Sequence, residues 1–406
     1  MIPFIYVFIT YLVGISFKRK FGYLLNVNFI TTFIWSVCAI LAYINPMNFV
    51  SVSNEVHYYS FLWLIVFNIT SLFAKINSLS LDITAPFTTD DERTIWKKIR
   101  MVSIISFVMY LPLAIPGILA FASKDYALVK SLYYDENSSF LYMYFVKLIP
   151  MAIMRAVSIS SLLLYFKNYK RKYLYHSFVF MLIPTITSIT RVDLFLFLST
   201  YVILLTIFKH YRKVNYKPLI FGILSMIIVT VTFRGNDIVQ AIISYFSGSF
   251  SFLQVILDNP ADYGLYQNKY GYRTFAFLFE PVILVLKVLG LTTIKTPIYW
   301  FNTYCQPFVN ISQFGEFYFN NNTTILYNFL LDNGVWGIIV GSIFLSLLLI
   351  YSYKIFTKGR MFGTLLFLYI SDGLFTSTMS YQSFSGLAPI VITITFYYIS
   401  RNLNKS

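Results

Sequence analysis

Apolar residues recur in runs of about 20 along nearly the whole chain, broken by short polar stretches. That spacing predicts helices that cross a bilayer rather than the faces of a water-soluble core. The runs lie at roughly 2–17, 24–44, 58–74, 101–122, 140–166, 173–190, 192–208, 218–233, 335–353, 361–379 and 382–399. They predict an all-α polytopic membrane protein with about eleven transmembrane helices. One interruption is far longer than the others. It divides the chain into residues 1–233 with the first eight helices, an external loop subdomain at 234–331, and residues 332–406 with the last three.

Two segments of that loop are apolar without reading as spans. In the first, Val239, Ile242, Ile243, Phe246, Phe250, Leu253 and Leu257 share one helical face, and Gln240, Ser244, Ser247, Ser251, Gln254 and Asp258 share the other. An amphipathic helix is predicted, ended by Asn259-Pro260. The second, 275–291, is interrupted by Glu280, Pro281 and Lys287, and a crossing there would put the basic cluster at 354–360 outside. It is read as interfacial or re-entrant.

A chain that is 58% hydrophobic and only 12% charged is not an ordinary soluble globule. Its net charge of +15 could suggest a nucleic-acid partner. Most of the Lys and Arg, however, lie between spans, at 18–20, 93–100, 167–172, 209–217, 354–360 and 401–405. With the amino terminus outside and the carboxyl terminus inside, every one of these clusters is cytoplasmic, so the charge sets topology and no nucleic acid is expected. The run at 2–17 has its basic residues after it, the reverse of a secretory signal, and is read as a retained first helix. Cys38 lies in a span and Cys305 in the loop, and His57, His176 and His210 lack ligand spacing. Neither a disulfide nor a metal site or cofactor is expected.

The charges that topology does not explain are the candidate chemistry. Arg191, in Thr190-Arg191-Val192-Asp193, and Arg234, in Phe233-Arg234-Gly235-Asn236-Asp237, stand at outward ends of spans. Each could snorkel and pair with its neighbouring aspartate, Asp193 or Asp237. Two guanidinium groups at equal depth could instead grip a diphosphate, because the planar fork bonds phosphate oxygens two at a time. Arg273, in Tyr270-Gly271-Tyr272-Arg273-Thr274, is a third such candidate or a solvated loop charge. Lys147 and Arg155 fall inside the fifth span, where a central charge costs on the order of 2.5–3.5 kcal/mol, so each should face a cavity or a partner. Asp372, in the tenth span, is the evident partner, and a structural ion pair competes with a substrate-binding role.

The segment Phe314-Gly315-Glu316-Phe317-Tyr318-Phe319 sets aromatic faces beside a carboxylate, a combination suited to sugars. Asp332-Asn333-Gly334 could join it, or could be the turn that closes a short helix. Gly337 and Gly341 give the spacing of close helix packing.

The many-helix layout, the outward Arg191 and Arg234, the late external loop, and Phe314 to Tyr318 leading to Asp332-Asn333-Gly334-Val335-Trp336-Gly337 resemble the Wzy-type polymerases of O-antigen and capsule repeat units. These belong to the broader group that contains the O-antigen ligases. The resemblance implies a metal-independent glycosyltransferase of GT-C-like architecture in the bacterial cytoplasmic (inner) membrane. Its donor and acceptor would be polyprenyl-diphosphate-linked oligosaccharides, undecaprenyl diphosphate being the carrier. A chain-length regulator and a flippase would be its partners, besides the lipid bilayer. The external-loop histidine of the ligase branch has no counterpart here, which favours polymerase over ligase.

On this reading Arg191 and Arg234, with Arg273, stabilise the departing diphosphate. Glu316 orients or deprotonates the acceptor hydroxyl, with Asp193 and Asp237 as further carboxylates near the sugar and Tyr318 as a sugar-facing ring. A flippase or transporter of lipid-linked oligosaccharides is the competing class, since a cationic cavity would serve it too. Transporters of that kind commonly show internal repeats, and no similarity between halves is evident. A membrane acyltransferase is a third class, lacking a supporting histidine motif.

Overall fold

The computed structural model describes residues 1–21, 26–74, 85–123, 142–188, 192–208, 217–234, 238–265, 270–297, 309–315, 317–319, 324–378, 384 and 386–401. The helices are α1 (Ile2–Phe21), α2 (Val27–Ile44), α3 (Asn54–Phe73), α4 (Thr89–Ala122), α5 (Ile149–Asn168), α6 (Arg171–Ser188), α7 (Val192–Phe208), α8 (Lys217–Arg234), α9 (Ile238–Asp258), α10 (Ala276–Val288), α11 (Ile325–Phe356), α12 (Met361–Phe375) and α13 (Ala388–Ser400). A π-helical turn, Met143–Leu148, leads into α5. Each expected span overlaps one of these helices, though not all of each span lies within the described residues. Among the described residues, six stretches are long and apolar enough to cross a bilayer: Ile2–Lys20, Val27–Ile44, Asn54–Phe73, Thr89–Ala122, Met143–Asn168 and Ile325–Phe356. The chain is therefore a helical membrane protein.

The chain forms two compact units, each discontinuous in sequence. One comprises Met1–Ser78, Val239–Tyr351 and Gly373–Gly386, the other Leu79–Ile238, Ser352–Asp372 and Leu387–Ser406. The stretch expected as a loop subdomain therefore does not stand alone, because 239–351 joins the first three helices. Trp35 of α2 shows why. Its ring lies 5.9 Å from Trp63 of α3 and 5.7 Å from Phe250 of α9, and its indole N–H donates to Ser377 Oγ at 2.8 Å.

Much of the polar face of α9 is packed inside the unit rather than turned to water, although Asp258 at its end is exposed. Ser244, Ser247, Ser251 and Gln254 are as buried as Phe250 and Leu253 opposite them. Serine tolerates this because its hydroxyl can return to its own helix, as Ser247 does by donating to Ile243 O at 2.9 Å.

In the second unit α5 is the central helix, buried on nearly all sides against α4, α6, α7 and α13. Its cationic neighbourhoods gather at one end. Glu92, at the start of α4, accepts from Lys170 Nζ at 2.6 and 2.7 Å, from Asn168 Nδ2 at 2.9 Å and from the Tyr173 hydroxyl. Lys98 donates to the backbone oxygens of Ile399 and Arg401. The clusters at 93–100 and 167–172 and the end of α13 thus share a face of this unit.

The long helix α11 is two helices. Asn333 (φ −163°, ψ 38°) and Gly334 (φ 55°, ψ −136°) break it, and the second conformation is one that side chains with a Cβ rarely adopt. The 325–332 segment folds back so that Phe329 lies on the glycine face beyond the break. A Cβ on Gly337 would fall 1.9 Å from Phe329 O, and one on Gly341 would fall 2.3 Å from the Phe329 ring. The close packing expected of that spacing is present, and its partner is the preceding turn of the same chain.

Candidate functional site

Arg155 and Asp193 meet inside the second unit. Arg155 Nε donates to Asp193 Oδ1 at 2.6 Å, with the carboxylate side chain fully buried and the arginine 11% exposed. The carboxylate that meets Arg155 thus stands on α7, where the sequence offered Asp372. The interaction joins α5 to the first turn of α7, two residues past Arg191. Asp193 Oδ2 has no hydrogen-bond partner among the described residues.

Asp372 lies on α12 and is also buried. Ser199 Oγ donates to its Oδ1 at 2.7 Å, and the Thr200 hydroxyl donates to its Oδ2. Both donors are on α7, about 9–11 Å along the helix from Asp193, so α7 carries two carboxylate sites one above the other. Tyr369, one turn before Asp372, lies within electrostatic reach of both Arg155 and Asp372. Reading the sequence missed Ser199 and Thr200, since hydroxyls in an apolar span look like neutral filler until a carboxylate is placed against them.

Lys147 is half-buried on the π-helical turn ahead of α5. Pro150 follows at once, and its missing N–H accounts for the local change of hydrogen-bond ladder. A π turn inside a helix often accompanies a functional position.

α7 and α8 are neighbours. They cross where a Cβ on Gly222 would lie 2.5 Å from Leu198 Cδ2. Arg191, Asp237 and Glu316 lie outside the described residues, and only the backbone of Arg234 and Tyr318 is described.

The first unit holds the other candidates. Arg273 is 1% exposed, and its guanidinium is engaged within the protein. Nε and Nη2 donate to Asn328 Oδ1 at 3.1 and 2.8 Å, and Nη1 donates to Pro297 O. The Asp332 carboxylate accepts from the backbone N–H of Arg273 at 2.8 Å and of Thr274 at 2.5 Å, while its own carbonyl accepts from Tyr270 N at 2.8 Å. This corrects the expectation for Arg273. It is neither a solvated loop charge nor a cation turned toward a phosphate, but the centre of a clamp that holds 270–274 on the turn at 332–334. Asp332, Asn333 and Gly334 accordingly behave as a helix-closing turn. Tyr272, beside the clamp, is half-buried, and burial followed by the nearby Glu280 charge pushes its phenol well up from its ordinary value. Its hydroxyl stays protonated and donates to Lys295 O.

The aromatic segment at 314–319 is the tip and return of a small hairpin, β1 (Val309–Asn310) and β2 (Tyr318–Phe319), antiparallel with Val309 opposite Phe319. Asn310 ties the tip, accepting from Ser312 N and Phe317 N at 3.0 and 3.1 Å. The hairpin docks on the α2–α3 connection through Val50 N to Ile311 O at 2.7 Å, with the Phe49 and Phe317 rings 5.0 Å apart. Phe317 is therefore a packing residue, whereas Phe314 is 78% exposed at the tip.

The described candidates thus divide by unit: Lys147, Arg155, Asp193, Arg234 and Asp372 in one, Arg273, Tyr318 and Asp332 in the other. Comparison of the chain with protein-family models, with curated proteins and with solved structures gives no match.

Proposed function

We propose that the chain is a membrane glycosyltransferase that polymerises lipid-linked oligosaccharide repeat units. It would cross the bacterial cytoplasmic membrane about eleven times in a GT-C-like arrangement and work at its outer face. The observation that carries this reading is the buried Arg155–Asp193 pair on the first turn of α7, immediately after Arg191. Ionisable groups within a membrane are costly and mark substrate paths.

In the proposed reaction a hydroxyl at the non-reducing end of a fresh lipid-linked unit attacks the anomeric carbon of the growing glycan. The new glycosidic bond forms as the bond to the carrier breaks, and polyprenyl diphosphate leaves with the electron pair. The hydroxyl proton passes to a carboxylate, for which Glu316 is the first choice. Arg191 and Arg234 stabilise the charge that grows on the diphosphate, an interaction stronger in the transition state than in the bound substrate.

Arg191→Ala and Arg234→Ala are each expected to leave the protein in the membrane and to lower polymer formation by about 10²–10³-fold. The check is a gel profile of surface polysaccharide from a deletion strain complemented with wild type or either variant. Single units exported without polymer support a polymerase; lipid-linked units held on the cytoplasmic face identify a flippase; normal chain lengths in both variants remove these arginines from the mechanism. One displacement should also invert the anomeric configuration, so retention, read by NMR of the product linkage, would sink the single-step scheme.

A further inference from the structure

The 272–297 segment begins and ends at one place. Tyr272 donates its hydroxyl to Lys295 O and Arg273 donates to Pro297 O, so the clamp residues close the base of a loop. Between them α10 runs outward for 13 residues, about 20 Å. Gly290, at φ 68°, reverses the chain, and 291–296 return without helix. Six residues of extended chain also span about 20 Å, so the two limbs match.

The inner side of this hairpin is covered, with Ala276 and Glu280 fully buried and Ile283 nearly so. Its outer side and apex are apolar and open. Leu278, Val282, Val285, Val288, Leu289 and Leu291 are each 55–69% exposed. It starts against α11: Phe275 and Phe277 place their rings 4.9 and 5.9 Å from that of Phe344. Phe344 lies about 15 Å past the break at Gly334, midway along the crossing half of α11. That half exposes its own apolar stripe, Trp336, Val340, Leu347 and Tyr351, at lipid-facing spacing.

We infer that residues 275–296 are a re-entrant apolar hairpin whose apex, 288–291, is seated in the hydrocarbon of the adjoining bilayer leaflet. A leaflet is about 15 Å deep, so a 20 Å hairpin enters it and cannot cross to the other side. The bilayer is its cover: the hairpin packs at its base against the crossing half of α11, whose exposed stripe is itself apolar, and one lipid phase meets both. The inference rests on the membrane assignment alone and is independent of the proposed reaction.

The test places a nitroxide at Leu289→Cys, Leu291→Cys or, at the base, Lys295→Cys, in the full chain with Cys38 and Cys305 replaced by serine, reconstituted in phosphatidylglycerol-containing nanodiscs. The apex labels are expected to collide several-fold more with oxygen than with an aqueous nickel chelate, and the base label to show the reverse. Apex labels open to the chelate would overturn the inference in favour of a solvated finger. Apex labels shielded from both reagents would overturn it in favour of a protein contact. Should either apex variant fail to assemble, Val288→Cys reads the same level from the helical limb.

Discussion

Asp332→Ala is expected to destabilise the protein by about 3–5 kcal/mol. The substitution strips the acceptor from two buried backbone amides, at about 1–3 kcal/mol each, and leaves the Arg273 guanidinium without its nearby carboxylate. Asp332→Asn should lose less, because one side-chain oxygen remains to accept from Arg273 N or Thr274 N. Heat-induced unfolding of detergent-purified protein, followed by tryptophan fluorescence, would rank wild type above Asn above Ala. An alanine variant as stable as wild type would mean that the clamp contributes nothing to the fold. The same clamp closes the base of the 272–297 hairpin, so tryptic cleavage at Lys295, at that base, should quicken in the alanine variant.

The second large effect is expected at Arg155 and Asp193. Either single alanine leaves a buried, uncompensated charge and should cost about 3–5 kcal/mol. Replacing both, as Arg155→Met with Asp193→Leu, should recover most of that stability, since an apolar pair of similar volume avoids the desolvation penalty altogether. The double variant separates structure from chemistry. A stable double variant that forms no polymer would place the pair in the reaction, whereas normal polymer would make it a structural pair only. A double variant as unstable as the singles would show that the two residues do not act as a unit.

Much of the fold was legible in hydrophobic periodicity because lipid imposes a simple rule: every crossing backbone must satisfy its own hydrogen bonds, so apolar runs of sufficient length become helices. Glycine spacing at 337 and 341 likewise announced close packing, since only a missing Cβ admits another backbone so near. The candidate site was less legible. Ion pairing depends on which helices are neighbours, and nothing in the spacing of Arg155 and Asp193 reveals that α5 and α7 pack together. Arg273 misled for a related reason. In sequence it sits among loop residues, and only the folded chain brings Asn328, Pro297 and Asp332 around it.

The sequence by itself determined that this is a helical membrane protein and where its apolar segments begin and end. These follow from local composition and length. The tertiary structure alone decided that α9 buries the serines of its polar face, that α11 doubles back at Asn333–Gly334, and that Arg155 meets Asp193 while Asp372 takes its hydrogen bonds from Ser199 and Thr200. Those outcomes depend on contacts between residues far apart in the chain, whose partners are chosen by packing and by the need to satisfy each buried polar group.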